Sequence, residues 1–256
     1  MQHYDAVGGA QKPKTNLHHT RDLLPEIDRP RLYPPRFTPG SRPEPTRGMT
    51  KEDAATAFKA WFAGLPSWDI TVFSDGSKTA EGLGYGYAIY EGQTLVEEGR
   101  GSLDSCGVVF DAEALGALRG LDKARQLYPD APITLCIDNT ATIWCIQKDA
   151  SPTSQWVFIK IHQLLGTGTV TLKWSPGHLG IEGNERADHN AAVGANWGPL
   201  DADSKPTVAG LRAMAKKEMQ NNAAKWWRDA GINKPSGYEA AKITYRPGKV
   251  PDALRI

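Results

Sequence analysis

The chain has 256 residues, 40% of them hydrophobic, which suffices for one domain with extensions or for two small domains. No apolar run approaches the roughly 18 residues of a membrane span, and no basic-then-apolar secretory signal opens the chain, so neither a membrane protein nor a secreted one is expected. Cys106, Cys136 and Cys145 are isolated, which predicts buried free thiols of an intracellular protein, nuclear or cytoplasmic, and excludes a disulfide framework or a C-x-x-C zinc site.

The net charge is only +1, but it is unevenly distributed. Residues 69–197 carry 9 Lys and Arg against 16 Asp and Glu, whereas residues 205–256 carry 11 against 4. Basic flanks could bind a polyanion directly, while an acidic middle would need cations to approach one. Ordinary solvated faces would produce the same distribution, so charge alone leaves both interpretations open.

The N-terminal part of the chain is rich in proline. Residues 1–48 contain eight prolines and little hydrophobic periodicity, which predicts an extended or disordered arm. A short lead-in helix is then expected within 50–66, where Thr50 and Asp53 resemble a capping box and Pro66 follows the last turn.

The pattern of hydrophobic residues over 69–195 predicts one domain. Strands are expected at 69–75, 84–92, 94–101, 133–138 and 170–174, and helices at 111–129, 139–148, 153–166 and 184–195. This order predicts an α/β fold, a five-stranded mixed sheet with helices on both faces. A linker at 196–206 is expected to lead into a basic helical extension at 207–256, with a helix at 207–229 and an irregular tail.

Four acidic residues lie at positions in this predicted fold where their side chains could come together. Asp75 and Asp138 close the first and fourth strands, Glu113 lies early in a helix, and Asp188 lies in the last helix of the domain. Each alone suits a helix cap, a helix-dipole partner or a solvated acid. If the two strands are neighbours, however, the four carboxylates converge, and such repelling charges require cations.

Divalent ions would satisfy such a cluster. Oxygen-only ligands suit Mg²⁺, with Mn²⁺ as a substitute. Two such ions about 4 Å apart can activate a water and stabilise the leaving oxygen of a phosphoryl displacement.

Four motifs carry a family resemblance. "SDGS", "AEALGAL", "IDNTATI" and "SPGHLGIEGNERAD", in this order, resemble type 1 ribonuclease H across 69–195. The proline-rich lead-in, the short Thr-Lys-Glu helix and the Trp-containing helix after the domain are similar to polyproteins of fungal-type non-LTR retrotransposons. The resemblance implies a ribonuclease H-like fold that hydrolyses the RNA strand of an RNA–DNA hybrid, leaving 3′-hydroxyl and 5′-phosphate ends, with a reverse transcriptase as a partner in the same polyprotein.

The resemblance also implies residue roles. Asp75, Glu113, Asp138 and Asp188 match the four metal-binding acids, and Glu113 would lie near the attacked phosphate and the adjacent 2′-hydroxyl. His178 matches a loop histidine that assists proton transfer or product departure. Its setting among glycines suits a mobile loop, and histidine exchanges protons near neutral pH.

Four further residues are candidates for substrate contact. Backbone groups of Gly76 and Ser77 could bind RNA 2′-hydroxyls and so distinguish RNA from DNA. Asn139 and Asn184 flank the acids, and each is either a substrate contact or a helix cap.

The chain departs from the family pattern in two places. The segment "SCGVVFD" before Glu113 lacks the Thr- and Asn-rich run that grips the DNA strand in cellular members. No lysine-rich insertion with interleaved tryptophans separates Asp138 from Asp188, and Trp144 and Trp156 are expected in the core. Basic residues of the 207–229 helix either compensate or form a solvated face.

Two other functions stay open at this stage. One is a non-catalytic nucleic-acid-binding remnant of such a domain, which would bind hybrids without cleaving them. The other is a different nuclease on a similar sheet, such as a junction resolvase or a transposase core, which would prefer branched or duplex DNA.

Overall fold

The computed structural model describes residue 46 and residues 48–147 and 153–229, so nearly all of the proline-rich arm and the whole tail beyond 229 lie outside the described residues. The helices are α1 (Lys51–Ala63), α2 (Val109–Leu127), α3 (Thr140–Gln147), α4 (Gln155–Leu165), α5 (Glu182–Trp197) and α6 (Val208–Asp229). The strands are β1 (Ile70–Lys78), β2 (Leu83–Glu91), β3 (Thr94–Leu103), β4 (Ile133–Ile137) and β5 (Val170–Trp174).

The five strands form one mixed sheet in the order β3-β2-β1-β4-β5. The pairs β1–β2 and β2–β3 are antiparallel, whereas β1–β4 and β4–β5 are parallel. Helices α2, α3 and α4 pack on one face, and α1 and α5 pack on the other. The predicted α/β fold, with a five-stranded mixed sheet covered on both faces, is therefore confirmed.

Helix α1 completes the second hydrophobic core. Its N-terminus is capped by Thr50, whose hydroxyl accepts a hydrogen bond from the backbone N–H of Asp53 at 3.1 Å, as the sequence indicates. Phe62 of α1 contacts Phe73 of β1 and Tyr90 of β2 edge-on, with ring centroids 5.4 and 5.6 Å apart. This helix is therefore part of the packed domain, because its aromatic face closes the core beneath the sheet.

Helix α5 lies unusually close to β2. A Cβ placed on Gly86 would lie 2.3 Å from the carbonyl oxygen of Ala187, and one on Gly84 would lie 2.0 Å from the backbone nitrogen of Ala195. Only glycine at these two positions of β2 leaves room for the helix backbone. The separation of α5 from the sheet thus depends on the absence of two side chains.

The segment expected as a linker, 196–206, is attached to the domain. Its first residues belong to α5. Leu200 forms a parallel β-bridge with Ser102 of the outer strand β3. Arg119 of α2 donates to both carboxylate oxygens of Asp201, at 2.6 and 2.7 Å. A bidentate pair of this kind fixes geometry, so this part of the segment is bound to α2 and β3.

The expectations for the cysteines and tryptophans hold in part. The three cysteines are free, and Cys136 and Cys145 are buried, but Cys106 is only half-buried. Trp144 and Trp156 are also half-buried and lie at the edge of the core. The prediction of burial came from apolar residues at helical spacing. Such spacing indicates which face of a helix points inward, but not how deeply each aromatic ring is buried.

Helix α6 is largely exposed, including apolar residues such as Met219 (72%) and Trp226 (65%). None of the helices in the described part of the chain is long and apolar enough to cross a membrane.

We predict that Gly86→Ala destabilises the domain by about 3 kcal/mol, because the added methyl group meets the backbone of α5 and cannot be accommodated by a side-chain shift. Chemical denaturation of the purified protein measures this change. Gly64→Ala is the matched control, since its Cβ would have ordinary contacts at 3.4 and 3.6 Å. Equal stability of both variants would show that α5 is free to move away from β2.

Candidate functional site

Three acidic side chains converge where β1 and β4 run side by side. The parallel register pairs Ser74 with Ile137, so Asp75 and Asp138 follow directly at the same end of neighbouring strands. Glu113 of α2 completes the group, and one carboxylate oxygen from each residue lies within 4.8 Å of the others. The strand β1 does not end at Asp75, as the sequence pattern indicated, but continues to Lys78.

Close backbone packing places Glu113 beside Asp75. A Cβ on Gly76 would lie 2.4 Å from the backbone nitrogen of Glu113, and one on Gly116 would lie 2.9 Å from the carbonyl oxygen of Asp75. Asp75 Oδ1 also accepts a hydrogen bond from the N–H of Gly76 at 2.7 Å. Two glycines thus permit the contact between α2 and β1 on which the carboxylate pair depends.

Asp138 is held by the end of β5 and by the loop that carries His178 (residues 175–181), called here the histidine loop. Trp174 donates from its indole Nε1 to the backbone carbonyl of Asp138 at 2.9 Å, and a Cβ on Gly177 would lie 2.4 Å from Asp138 Oδ2. Neither Trp174 nor Gly177 is predicted from the sequence to be part of the site. A tryptophan at the end of a strand carries no pattern that distinguishes this role from ordinary packing.

Burial and mutual repulsion raise the pKa values of these three carboxyls. Asp75 and Glu113 are 5% and 6% exposed. Burial raises the pKa of Asp75, and the nearby Asp138 raises it further. Burial likewise raises the pKa of Glu113, with Asp75 adding to the effect. Burial raises the pKa of Asp138 as well, while His178 opposes the rise. The charged forms therefore need a positive partner.

The donor set fits a hard divalent cation. Glu113 Oε2 is buried and has no hydrogen-bond partner among the described residues, although a buried carboxylate oxygen normally has one. All three side chains offer oxygen, the ligand that Mg²⁺ and Mn²⁺ prefer. A cation bound here would reduce the repulsion between the carboxylates and would give Glu113 Oε2 a partner.

Asp188 belongs to a second group beside the first. It is close enough to raise the pKa values of Asp75 and Asp138. Its own close neighbours are His178 and Glu185, with one possible ligand atom from each of the three within 4.8 Å of the others. The four predicted acids are thus arranged as three clustered carboxylates with Asp188 at their side, next to the histidine.

His178 lies on an exposed turn that faces Asp188. Its side chain is 71% exposed, and its Nδ1 lies 4.0 Å from Asp188 Oδ2. Its φ of 58° is in the left-handed region, and Gly180 (φ 67°) continues the turn. Glu185 fastens this loop, because its Oε1 accepts a hydrogen bond from the N–H of Gly180 at 3.0 Å.

Asp111 supports the helix that carries Glu113, a role that is not predicted from the sequence. It is 2% exposed and accepts from the N–H of Val108 at 2.8 Å. The hydroxyls of Ser154 and Thr207 also donate to it, at 2.5 and 2.7 Å. The side chain therefore joins the first turn of α2 to two distant segments, and only its place in the first turn of the predicted helix signalled a structural role.

The four residues expected to contact a substrate differ in position. Gly76 and Ser77 are half-buried on β1 beside Asp75. Asn139 caps α3, accepting from the N–H groups of Ala141 and Thr142 at 3.0 and 3.2 Å. Asn184 is 1% exposed, so its side chain lies in the interior.

We predict that, without divalent ions, the stability of the protein decreases as the pH rises. The pKa of Asp75 is raised from 3.8 to about 8, and that of Glu113 from 4.5 to about 9. A carboxyl with a raised folded-state pKa stabilises the fold fully below its unfolded pKa, and this contribution is lost as the pH rises through the folded value. The Tm in a chelating buffer should therefore fall between roughly pH 4 and pH 9.

The double variant Asp75→Asn/Glu113→Gln is the control for this effect, because it removes both titrating groups and should flatten the decrease. Millimolar Mg²⁺ should raise the Tm of the unmodified protein far more at high pH than at low pH, where protons compete for the carboxylates. Parallel pH profiles for the two proteins would contradict the assignment of these acids.

The comparisons with known proteins concern the fold. No protein-family model and no curated protein matches the chain. Ribonuclease H1 from the halophilic archaeon Halobacterium salinarum NRC-1 is 18% identical over 49% of this chain and 96% of that chain, with a TM-score of 0.43. LC11 ribonuclease H1, isolated from compost and solved in complex with an RNA/DNA hybrid, is 19% identical over 48% of this chain and 93% of that chain, with a TM-score of 0.41.

A foamy viral protease–reverse transcriptase in complex with an RNA/DNA hybrid is 15% identical, with a TM-score of 0.43. The match covers 51% of this chain but only 20% of the viral protein. Structures with a similar arrangement thus include ribonuclease H1 enzymes and a reverse transcriptase, and at these identities the likeness is one of fold alone.

Proposed function

We propose that this chain is a divalent-metal-dependent endoribonuclease that hydrolyses the RNA strand of RNA–DNA hybrids, leaving 3′-hydroxyl and 5′-phosphate ends. The observation that carries the proposal is the cluster of Asp75, Glu113 and Asp138, whose carboxylate oxygens lie within 4.8 Å of one another. Asp188 is close enough to raise the pKa values of Asp75 and Asp138, and its Oδ2 lies 4.0 Å from His178 Nδ1. These five residues occur in the four motifs that resemble type 1 ribonuclease H.

The acids would hold two Mg²⁺ ions, with Mn²⁺ as a substitute. Asp75, Glu113 and Asp138 supply oxygen ligands from three elements of the fold, and Asp188 supplies another from α5. Such ions lower the pKa of an attacking water and stabilise the leaving oxygen of a phosphodiester. The protein contributes a rigid arrangement of carboxylates, because β1, β4 and α2 are each fixed by core packing.

His178 is suited to move protons at the edge of the site. The ring is 71% exposed, and its Nδ1 lies 4.0 Å from Asp188 Oδ2. A protonated ring can donate to the departing 3′-oxygen of the RNA strand. The strained turn at φ 58° directs the ring to the surface, where a bound substrate would lie.

The open edge of β1 supports recognition of RNA. The pairing between β1 and β4 stops at Ser74, whereas β1 continues to Lys78. Within the described residues no strand covers this side of β1 at Gly76 and Ser77. Backbone groups on this edge lie next to Asp75 and are placed to bind ribose 2′-hydroxyls, which DNA lacks. Glu113 would lie beside the same hydroxyl at the cleaved phosphate.

The proposed origin and partner of the chain rest on the amino-acid sequence alone. The proline-rich lead-in and the Trp-containing helix after the domain support a retroelement polyprotein, in which the domain would work together with a reverse transcriptase on the hybrid that this partner produces.

We predict that the purified 256-residue protein cleaves the RNA strand of a labelled hybrid when Mg²⁺ is present, and that Asp75→Asn lowers this rate by more than about 100-fold. The substitution removes a buried repelling charge, so the fold should persist, and circular dichroism verifies this. The matched control Asp130→Asn alters an exposed acid away from the cluster and should retain full activity.

The substrate panel separates the competing functions. Hybrid, duplex DNA and branched DNA are supplied in parallel with Mg²⁺ and with Mn²⁺. Binding of the hybrid without cleavage by either ion would favour a non-catalytic remnant, and preferential cleavage of branched DNA would favour a resolvase-like nuclease.

We predict that His178→Asn lowers kcat by about 100-fold, because an asparagine side chain cannot transfer a proton to the departing oxygen. Asparagine is chosen because it tolerates the left-handed backbone at this position. His189→Asn, on the exposed surface of α5, is the control and should leave kcat unchanged. A variant with normal kcat would limit His178 to a structural role in the loop.

A further inference from the structure

Helix α1 brings positive charge to the acidic site. The region 69–197 carries an excess of acids, and no lysine-rich insertion follows Asp138, so the domain lacks an evident basic surface for a polyanion. Lys51 lies in the first turn of α1, and its neighbours Met49 and Ala54 line one cavity with Thr140 and Pro176, which are two residues from Asp138 and His178. The helix therefore reaches the metal-binding end of the sheet.

A second lysine of α1 lies against the histidine loop. A Cβ built on Gly180 would lie 3.3 Å from Lys59 Nζ, which places this ammonium group two residues from His178. Lys51 and Lys59 are both exposed. They are eight residues apart, or roughly 12 Å along the helix, which is on the order of three nucleotides of a strand.

The edge strand β5 adds a third cation. Lys173 Nζ lies 4.1 Å from the centre of the Trp61 ring and 5.6 Å from that of Phe58, both on α1. These aromatic faces hold the lysine beside the helix. Lys51, Lys59 and Lys173, called here the basic strip, are thus all on α1 or in contact with it.

Three other cations of the domain are paired with acids. Lys123, Lys160 and Arg186 each form a salt bridge with an acid. In the described part of the chain, no salt bridge joins a lysine of the basic strip to an acid. Lysines without such partners, near carboxylates that would hold a phosphodiester, have the charge pattern of a backbone-binding surface.

We propose that the basic strip binds the sugar–phosphate backbone of the nucleic acid strand whose phosphodiester occupies the acidic site. The inference rests on the proposed function for the identity of that strand. It assigns to α1, a helix outside the four ribonuclease H-like motifs, the task of neutralising phosphates beside the cleaved bond. Contacts of this kind carry no base specificity, so they would act on every sequence alike.

The test is the salt dependence of hybrid binding by the full chain. Asp75→Asn is the common background, because it prevents cleavage while Mg²⁺ is present. The slope of log K against log salt concentration is measured by fluorescence anisotropy with a labelled hybrid. Adding Lys51→Gln/Lys59→Gln should reduce the magnitude of this slope by about 2, since each lost phosphate contact removes about 1. Lys173→Met, which keeps an apolar stem on Trp61, should reduce it by about 1.

The charge-matched control is Lys123→Gln/Lys160→Gln, which lies on α2 and α4 across the sheet and should leave the slope unchanged. An unchanged slope in the Lys51→Gln/Lys59→Gln variant would overturn the proposal, and so would a complete lack of hybrid binding. An unchanged slope would mean that Lys51 and Lys59 only neutralise the nearby acids of the protein. Cleavage by the unmodified protein is scored separately, so binding with a normal lysine effect but no cleavage would refute the proposed function and leave the basic strip supported.

Discussion

Mutual repulsion between buried carboxylates is the constraint around which this domain is organised. The parallel pairing of β1 with β4 places Asp75 and Asp138 side by side, and α2 adds Glu113 to the same pocket. Burial and the neighbouring charges raise the pKa values of all three. An arrangement that costs free energy in the absence of a cation persists because the strands and the helix are held by apolar packing elsewhere, and strain of this kind is typical of functional sites.

The surrounding glycines show how closely the elements must approach to maintain that pocket. Gly76 and Gly116 allow α2 to contact β1, and Gly177 allows the histidine loop to pass Asp138. At each of these positions a Cβ would lie within 3 Å of another group. The positions of the carboxylates are therefore set by backbone contacts, which are stiffer than contacts between flexible side chains. His178 contrasts with them, since its exposed ring lies on a turn at the surface.

Prediction from sequence succeeded where the signal is local. Strand alternation, helical periodicity and Pro or Gly at the ends of elements identified the order of strands and helices, and that order implied a mixed sheet. Long-range hydrogen bonds were beyond such reasoning. Asp111 joins residues some 40 and 100 positions away, and Arg119 binds the segment that composition alone marked as a linker. A polar residue gives no local sign of which distant group will pair with it.

The amino-acid sequence by itself determined the fold class, the identity of the four acids and the histidine as one constellation, and the uneven charge of the chain. Only the tertiary structure decided that three acids cluster while Asp188 lies with His178 and Glu185, and that Asn184 is interior. It alone placed the lysines of α1 beside the acids. The physical reason is that periodicity records which side of an element is apolar, whereas the distances between side chains on different elements depend on how closely those elements pack.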